Sequence, residues 1–229
     1  IGSDNLALGR ESLQSNTTGC NNVALGRNSL QENITGCFNV ALGHFSLFNN
    51  TSGCNNVSIG ACSMCNATAS ISNVAIGRSP MRDSTYGNYN VAIGHFPLLC
   101  VMNNHNIAIG KDSIGSSTQS GCNISLGFMS MREICGNHNV SLGMGGLKKS
   151  SGNHNISLGR YSLCNNVGSF NIAIGYKSIG GDYNNGCNNI SIGACSLYTN
   201  QSNDNISIGS RSMIQNQSGQ KNISIGTCA

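Results

Sequence analysis

The chain has 229 residues, of which only 9% are charged and 5% are aromatic, and it contains 30 Gly, 12 Cys and no Trp. An average globular domain has about 25% charged residues, so this composition argues against a catalytic domain with a mixed polar surface. The net charge of +4 is too small and too scattered to indicate nucleic acid as the main partner. No apolar run reaches the roughly 18 residues that a membrane helix requires.

A five-residue unit of Asn, Val/Ile/Leu, Ala/Ser, Leu/Ile and Gly recurs every 16 to 18 residues along the chain. Large and small side chains alternate within it, as in Val23–Leu25, which predicts a short strand with one buried face. A short fixed period is typical of a solenoid. The sequence therefore predicts an all-β fold, a parallel β-solenoid (β-roll) of about 14 coils, as one continuous repeat domain over residues 1–229. The predicted strands end, in chain order, at Gly9, Gly26, Gly43, Gly60, Gly77, Gly94, Gly110, Gly127, Gly143, Gly159, Gly175, Gly193, Gly209 and Gly226.

The direction of the strand side chains follows from a second apolar position. A large apolar residue, such as Leu30 or Met64, follows each strand Gly by four positions, so we expect it and the two strand aliphatics to face the interior. The central Ala or Ser would then form a flat outward face on which another chain could pack. We expect the substitution Ala92→Arg on that face to disrupt assembly.

Two further columns concern the turns and the backbone. A second Gly, three residues before the Asn in nine coils, suggests a turn position with positive φ. The Asn itself is present in all fourteen copies, and stacked amides can hydrogen-bond to one another and to the turn backbone. We interpret it as a structural Asn ladder of Asn5, Asn22, Asn39, Asn56, Asn73, Asn90, Asn106, Asn123, Asn139, Asn155, Asn171, Asn189, Asn205 and Asn222.

The string NIAIGYKS at residues 171–178 resembles the head repeats of trimeric autotransporter adhesins. It is also similar to the Asn- and Gly-rich repeats of phage and large-virus tail fibres. The resemblance covers essentially the whole chain and is specific for architecture rather than for a ligand. It implies a left-handed parallel β-roll that assembles as a trimer.

The cysteines favour an oxidising compartment over the cytosol. Three of them, Cys20, Cys37 and Cys54, occupy one register in consecutive coils, where a Cα separation of about 4.8 Å lies within the disulfide range. Disulfides, buried thiols and metal ligation all remain open for the set. The candidate disulfide residues are Cys20, Cys37, Cys54, Cys62, Cys187 and Cys195.

Asn-x-Ser/Thr sequons are frequent, which suits a secreted glycoprotein. Seven of them belong to the Asn ladder, where a buried amide cannot carry a glycan. Six others fall in the predicted outer turn of the coil, where a glycan would fit. These candidate glycosylation residues are Asn16, Asn33, Asn50, Asn66, Asn200 and Asn216.

Two columns contain side chains that could bind a ligand. Immediately before the Asn ladder, four successive coils carry His105, Cys122, His138 and His154. Such ligands could hold zinc or iron. However, aromatic residues in the same register favour a solvated turn, and we expect no metal site.

A basic column follows directly after the strand Gly and could bind an anionic glycan. It consists of Arg10, Arg27, His44, Arg78, His95 and Lys111.

The sequence contains no nucleophile elbow, no phosphate loop and no clustered carboxylates, so we expect a non-enzymatic protein without a cofactor. It favours a structural segment of an extracellular fibre, spike or adhesin at a cell or virion surface. Its main partner would be itself, as a trimer or filament. A solenoid that binds ice, polysaccharide or an anionic glycan of a host surface or receptor is the alternative. Both chain ends fall within a repeat, which suggests a piece of a longer fibre.

Overall fold

The structure is a computed structural model that describes residues 2–99, 103–115, 121–182 and 184–229. Its regular elements in these ranges are all short β-strands, which confirms the predicted all-β parallel solenoid. The strands are β1 Leu6–Leu8, β2 Val23–Leu25, β3 Val40–Leu42, β4 Val57–Ile59, β5 Val74–Arg78, β6 Val91–His95, β7 Ile107–Ile109, β8 Ile124–Leu126, β9 Val140–Leu142, β10 Ile156–Leu158, β11 Ile172–Ile174, β12 Ile190–Ile192, β13 Thr199–Asn200, β14 Ile206–Ile208, β15 Gln215–Asn216 and β16 Ile223–Ile225.

The chain forms two compact units, Ile1–Gln119 and Ser120–Ala229. In the first unit, β1 to β7 make one parallel ladder in which each strand pairs with the next. In the second unit, β8 to β12, β14 and β16 make an equivalent ladder, and β13 pairs separately with β15. Equivalent repeat positions pair directly, as Val40 does with Val57. Each register of the repeat therefore becomes one column of side chains within its unit.

The strand side chains face the opposite way from the sequence-based prediction. Ala24 has no exposed surface, whereas its neighbours Val23 and Leu25 are half-exposed. The prediction of inward aliphatics and an outward Ala/Ser face is therefore wrong. The cause is the narrow coil interior, because the Ser46 hydroxyl on the facing wall lies 2.8 Å from Ser58 Oγ at a strand centre. Only a small side chain fits at that inward position.

The interior of each coil is built around one large apolar residue, four positions after the strand Gly. Leu30, Leu47 and Met64 have no exposed surface. The Ser before this residue is buried as well, and Ser29 Oγ donates to the carbonyl of Ala41 in the next coil at 2.9 Å. Burying one large side chain contributes about 1.5–3 kcal/mol, which is small against the cost of ordering a coil. Stability therefore depends mainly on interactions between neighbouring coils.

Three corners of each coil hold non-glycine residues in the left-handed backbone region. Asn21, Asn28 and Leu30 have φ of 55°, 57° and 49°, and the same three registers recur along the chain. This conformation costs about 1–2 kcal/mol per non-glycine residue. A neighbouring coil holds each corner in place through backbone hydrogen bonds, such as that from Asn28 N–H to Arg10 O of the preceding coil at 2.9 Å.

The second Gly column does not have the positive φ that the sequence suggested. Among the described glycines, positive φ occurs at those that end the strands, with values from 124° at Gly60 to 143° at Gly9, and at Gly145. In the second Gly column, glycine is needed because there is no room for a Cβ atom. A Cβ on Gly36 would overlap Asn33 Oδ1 and the carbonyl oxygen of Gly53 in the next coil. Glycine is needed there because neighbouring coils approach closely.

Candidate functional site

Each unit carries an outward aliphatic face, which we define as the first and third residues of the ladder strands. These side chains point outward because the small central residue of each strand points inward. Exposure reaches 41% at Leu142 and 37% at Ile192 inside the second unit. The face comprises Leu6, Leu8, Val23, Leu25, Val40, Leu42, Val57, Ile59, Val74, Ile76, Val91, Ile93, Ile107 and Ile109 in the first unit, and Ile124, Leu126, Val140, Leu142, Ile156, Leu158, Ile172, Ile174, Ile190, Ile192, Ile206, Ile208, Ile223 and Ile225 in the second.

The outward aliphatic side chains of each unit form one continuous apolar patch. Contiguous exposed apolar patches larger than a few hundred Å² mark interaction sites. Every position on it is Val, Ile or Leu, so no charged side chain interrupts it. A surface of this kind is typical of a protein–protein interface.

The Asn ladder holds the strands in register beside this face. The Oδ1 of Asn39 accepts the backbone N–H of Asn56 at 3.1 Å and its Nδ2 at 3.0 Å. The same Nδ2 donates to the turn carbonyl of Ser70 at 2.7 Å. Asn39 and Asn56 are fully buried. Each amide thus joins its own coil to the coils before and after it.

A second Asn column, which the sequence analysis missed, runs inside the outer turn. Asn33 Nδ2 donates to Asn16 Oδ1 at 2.9 Å, and Asn50 Nδ2 donates to Asn33 Oδ1 at 2.7 Å. The sequence signal was the recurrence of Asn three residues after the buried apolar position, often followed by the second Gly. The column comprises Asn16, Asn33 and Asn50 in the first unit and Asn166, Asn184, Asn200 and Asn216 in the second.

The second Asn column corrects the expected placement of four candidate glycosylation residues. Asn33, Asn50 and Asn200 have no exposed surface, and Asn216 is 8% exposed. The expectation that they lie in an open outer turn is wrong, because their amide nitrogens donate into the coil interior, as Asn200 Nδ2 does to Ser202 O at 2.8 Å. A glycan attached to a folded chain needs an amide that projects into solvent.

The other two candidate glycosylation residues, Asn16 and Asn66, are half-exposed. Asn66 lies in a different register from the second Asn column, and its Nδ2 donates to Asp83 Oδ1 at 2.8 Å. Hydrogen bonds from Arg82 and then from Asn66 hold the pKa of Asp83 below its ordinary value. Asn16 and Asn66 therefore remain the candidates for glycosylation.

The structure brings together three of the six candidate disulfide residues. The Sγ atoms of Cys20 and Cys37 are 3.1 Å apart, and Cys54 continues the same column. Cys187 occupies this register in the second unit, but its neighbours in the column are Ser169 and Asn203. All six candidates are free thiols in the structure.

The two remaining candidates, Cys62 and Cys195, occupy a left-handed corner, with φ of 53° and 55°. Cys62 lies beside Cys65, a pair that the sequence analysis did not consider. Burial, followed by the influence of Cys62, raises the pKa of the Cys65 thiol. The coil that contains Cys195 has Tyr198 at the position equivalent to Cys65. Cys195 therefore has no counterpart of the Cys62–Cys65 pair.

The column before the Asn ladder is a left-handed corner rather than a ligand set. His105, His138 and His154 have φ of 62°, 58° and 56°, and Asn, Asp and His are the side chains most enriched in this conformation. The rings of His138 and His154 are stacked at 4.8 Å with an angle of 9° between their planes. Parallel rings at this distance do not direct two nitrogens to one ion at about 2.0–2.1 Å. Among the described residues, no three His, Cys, Asp or Glu side chains are grouped to hold a metal ion.

The basic column lies along one border of the aliphatic face in the first unit, with Arg10, Arg27, Arg78 and Lys111 exposed. Backbone hydrogen bonds keep successive members aligned, as from Phe45 N–H to Arg27 O at 3.1 Å. Arg10 pairs with Glu11 at 3.1 Å. A hydrogen bond from Asn28 and the charges of Arg10 and Arg27 lower the pKa of Glu11.

A scan of protein-family models, a search of curated proteins and a search of solved structures each found no match for this chain. None of the described residues belongs to a helix with the length and hydropathy that a membrane crossing requires. Arguments about function therefore rest on the surfaces themselves, of which the aliphatic face is uninterrupted by charged residues.

Proposed function

We propose that the chain is a non-enzymatic structural segment of an extracellular fibre, spike or adhesin, in which copies associate through their aliphatic faces. The observation that supports this proposal is the uninterrupted outward surface of Val, Ile and Leu on each ladder. A standard stable interface buries about 800 Å² per partner, and each ladder of seven strands presents fourteen contiguous aliphatic side chains to such a partner. Burying it removes apolar surface from water at roughly 25 cal/mol per Å².

A second copy of this chain is the occupant that best fits the face. Strands in both copies repeat at about 4.8 Å, so ridges of side chains on one copy match the grooves between ridges on the other. The face lacks charges that would have to be desolvated. The strands between the ends of each ladder are already paired on both sides, so association through the aliphatic face would use side chains and leave the backbone ladder unchanged.

The double variant Ile76→Lys/Ile93→Lys tests this interface. Both side chains point outward and are half-exposed, so in the separate chain each Lys can extend its ammonium group into water. In a packed interface the same charges would be buried without partners. We expect the native chain to sediment as a multiple of 23.8 kDa and the variant as a monomer with unchanged circular dichroism.

The matched control is Thr18→Lys/Thr35→Lys, which adds the same charge on the exposed outer turn. It should retain the oligomer. A native chain that remains a monomer at high micromolar concentration, or a control that dissociates equally, would rule out the aliphatic face as the interface. Ala92→Arg is no longer a suitable test, since Ala92 has no exposed surface and the larger side chain would disrupt the coil itself.

A second candidate function is recognition of an anionic polysaccharide by the basic column. The supporting observation is the alignment of exposed Arg27, Arg78 and Lys111 in one register of the first unit, because cations that share one column suit a linear polyanion. The other surface-binding targets lose their basis, since the small-residue face that would contact ice is buried.

Heparin-agarose chromatography tests the second candidate. The triple variant Arg27→Gln/Arg78→Gln/Lys111→Gln should elute at clearly lower salt than the native chain. The control Lys149→Gln/Arg211→Gln/Lys221→Gln removes equal charge from exposed positions of the second unit and should elute like the native chain. Equal losses in both variants, or equally tight binding to single-stranded DNA, would indicate non-specific attraction and reject this function.

A further inference from the structure

The three stacked thiols of the first unit are arranged for covalent chemistry between coils. Cys20 Sγ and Cys37 Sγ are 3.1 Å apart, which is about 1 Å longer than a disulfide bond. The Cys37 sulfur also accepts the backbone N–H of Cys20 at 3.1 Å, and the Cys54 sulfur accepts that of Cys37 at 3.2 Å. Cys20, Cys37 and Cys54 are all half-exposed, so a small soluble oxidant can reach them.

We propose that Cys20 and Cys37 form a disulfide that links two neighbouring coils when the chain meets a disulfide oxidant such as oxidised glutathione, and that Cys54 is an exchange partner for Cys37. The bond would close a loop between residues 17 apart in sequence. The link lies within the first unit and does not depend on self-association. Because the thiols already touch, little backbone movement is required.

The hydrogen bonds assign different roles to the two thiols. The Cys37 sulfur accepts the backbone N–H of Cys20 at 3.1 Å, a contact that favours negative charge on that sulfur, whereas the hydrogen bond with Cys37 raises the pKa of Cys20. Cys37 therefore attacks first, as the thiolate is the nucleophile in such exchanges. Its sulfur forms a bond to one sulfur of oxidised glutathione, the glutathione S–S bond breaks, and a glutathione thiolate leaves.

The second step completes the link. Cys20 loses its proton and attacks the Cys37 sulfur, and the second glutathione leaves as a thiolate. The protein loses two hydrogens and two electrons, and one oxidised glutathione becomes two reduced molecules. In the chain without Cys20, Cys54 can attack the same mixed disulfide, since it is the other neighbour of Cys37 in the column.

Cys187 is an internal control for this chemistry. It occupies the same register in the second unit, and its sulfur likewise accepts a backbone N–H, from Ser169 at 3.3 Å. Its neighbours in the column are Ser169 and Asn203, neither of which is a thiol. Under the same conditions Cys187 should therefore stop at the mixed disulfide with glutathione.

The experiment equilibrates the full native chain in glutathione buffers, blocks free thiols and maps peptides by mass spectrometry. Trypsin cleaves after Arg27, and chymotrypsin cleaves after Phe38 and Phe48, so Cys20, Cys37 and Cys54 fall in different peptides. We expect a linked Cys20–Cys37 pair and glutathione on Cys187. The link should form at a glutathione disulfide concentration at least about tenfold lower than that which modifies Cys187.

Two serine variants identify the partners. Cys54→Ser should retain the Cys20–Cys37 link, and Cys20→Ser should give a Cys37–Cys54 link. Circular dichroism of both variants checks that the coils remain folded. The proposal is overturned if Cys20 and Cys37 carry glutathione in the same proportion as Cys187, or if Cys37 links mainly to a second chain.

Discussion

Asn56→Ala is expected to lower the free energy of unfolding by about 3–5 kcal/mol, as the sum of several unsatisfied buried groups at 1–3 kcal/mol each. The Asn56 amide donates to Asn39 Oδ1 and to Ser70 O. Its Oδ1 accepts the backbone N–H and the Nδ2 of Asn73, at 3.0 and 3.2 Å. Alanine removes all four bonds in a site with no exposed surface.

Chemical denaturation measures this loss of stability. Hydrogen exchange of β3 and β5, the strands that pair with β4, shows where the loss is felt. Asn49→Ala is the matched control, because Asn49 is half-exposed and its side chain makes one bond, to Asn66 Oδ1 at 3.1 Å. Its cost should be below about 1 kcal/mol. Equal costs for the two variants would mean that the Asn ladder contributes no more than a surface amide.

The second large effect is expected where Ala67 interrupts the second Asn column. Asn50 Oδ1, which faces this position, is buried without a hydrogen-bond partner. The side-chain amide of an Asn at residue 67 could donate to it. However, Ser70 replaces the Gly of this register. A Cβ at the equivalent Gly53 would overlap Asn50 Oδ1, so Ser70 should exclude the Asn side chain in the same way.

Ala67→Asn alone should therefore destabilise the protein by about 1–3 kcal/mol through overpacking. Ser70→Gly alone should cost about 0.5–1 kcal/mol in backbone entropy. Together they should be close to native stability, which corresponds to a favourable coupling of about 2 kcal/mol in a double-mutant cycle.

The control cycle replaces Ala67→Asn by Ala61→Asn, at an exposed position. Its effects should add to those of Ser70→Gly within about 0.5 kcal/mol. If the effects of Ala67→Asn and Ser70→Gly were also additive, an Asn at residue 67 and a Gly at residue 70 would not act as a pair.

The sequence was sufficient for the period, the strands and the Asn ladder, because each depends on a residue type that recurs at a fixed interval. It was not sufficient for the direction of the strand side chains. Alternation in Val23–Leu25 specifies two faces without stating which is inside. The direction is decided by the distance between the strand and the opposite wall of the coil, which is short enough for Ser46 to contact Ser58. This distance is set only when the coil closes.

The outer turn shows a second limit of sequence reasoning. Asn33 and Asn50 satisfy the sequon rule, yet the structure buries both in an amide column. A sequon describes what an enzyme can recognise on an unfolded chain and contains no information on burial. One left-handed corner carries a sequence signal that was not used: His105 and His138 stand in a register also occupied by Asn and Asp, the residues that tolerate this conformation best.

The buried polar groups have a consequence for the conditions that the protein can withstand. Among the described residues, every buried polar side chain is Asn or Ser, and the three ion pairs join half-exposed or exposed side chains. Such pairs contribute about 0–1 kcal/mol each. The Asp83 contribution, with its lowered pKa, is present near neutrality and is lost only as pH falls through that value. Neutral amides and hydroxyls do not titrate and carry no charge for salt to screen, so we expect the interior of each unit to stay folded in acid and in concentrated salt, which circular dichroism under both conditions checks.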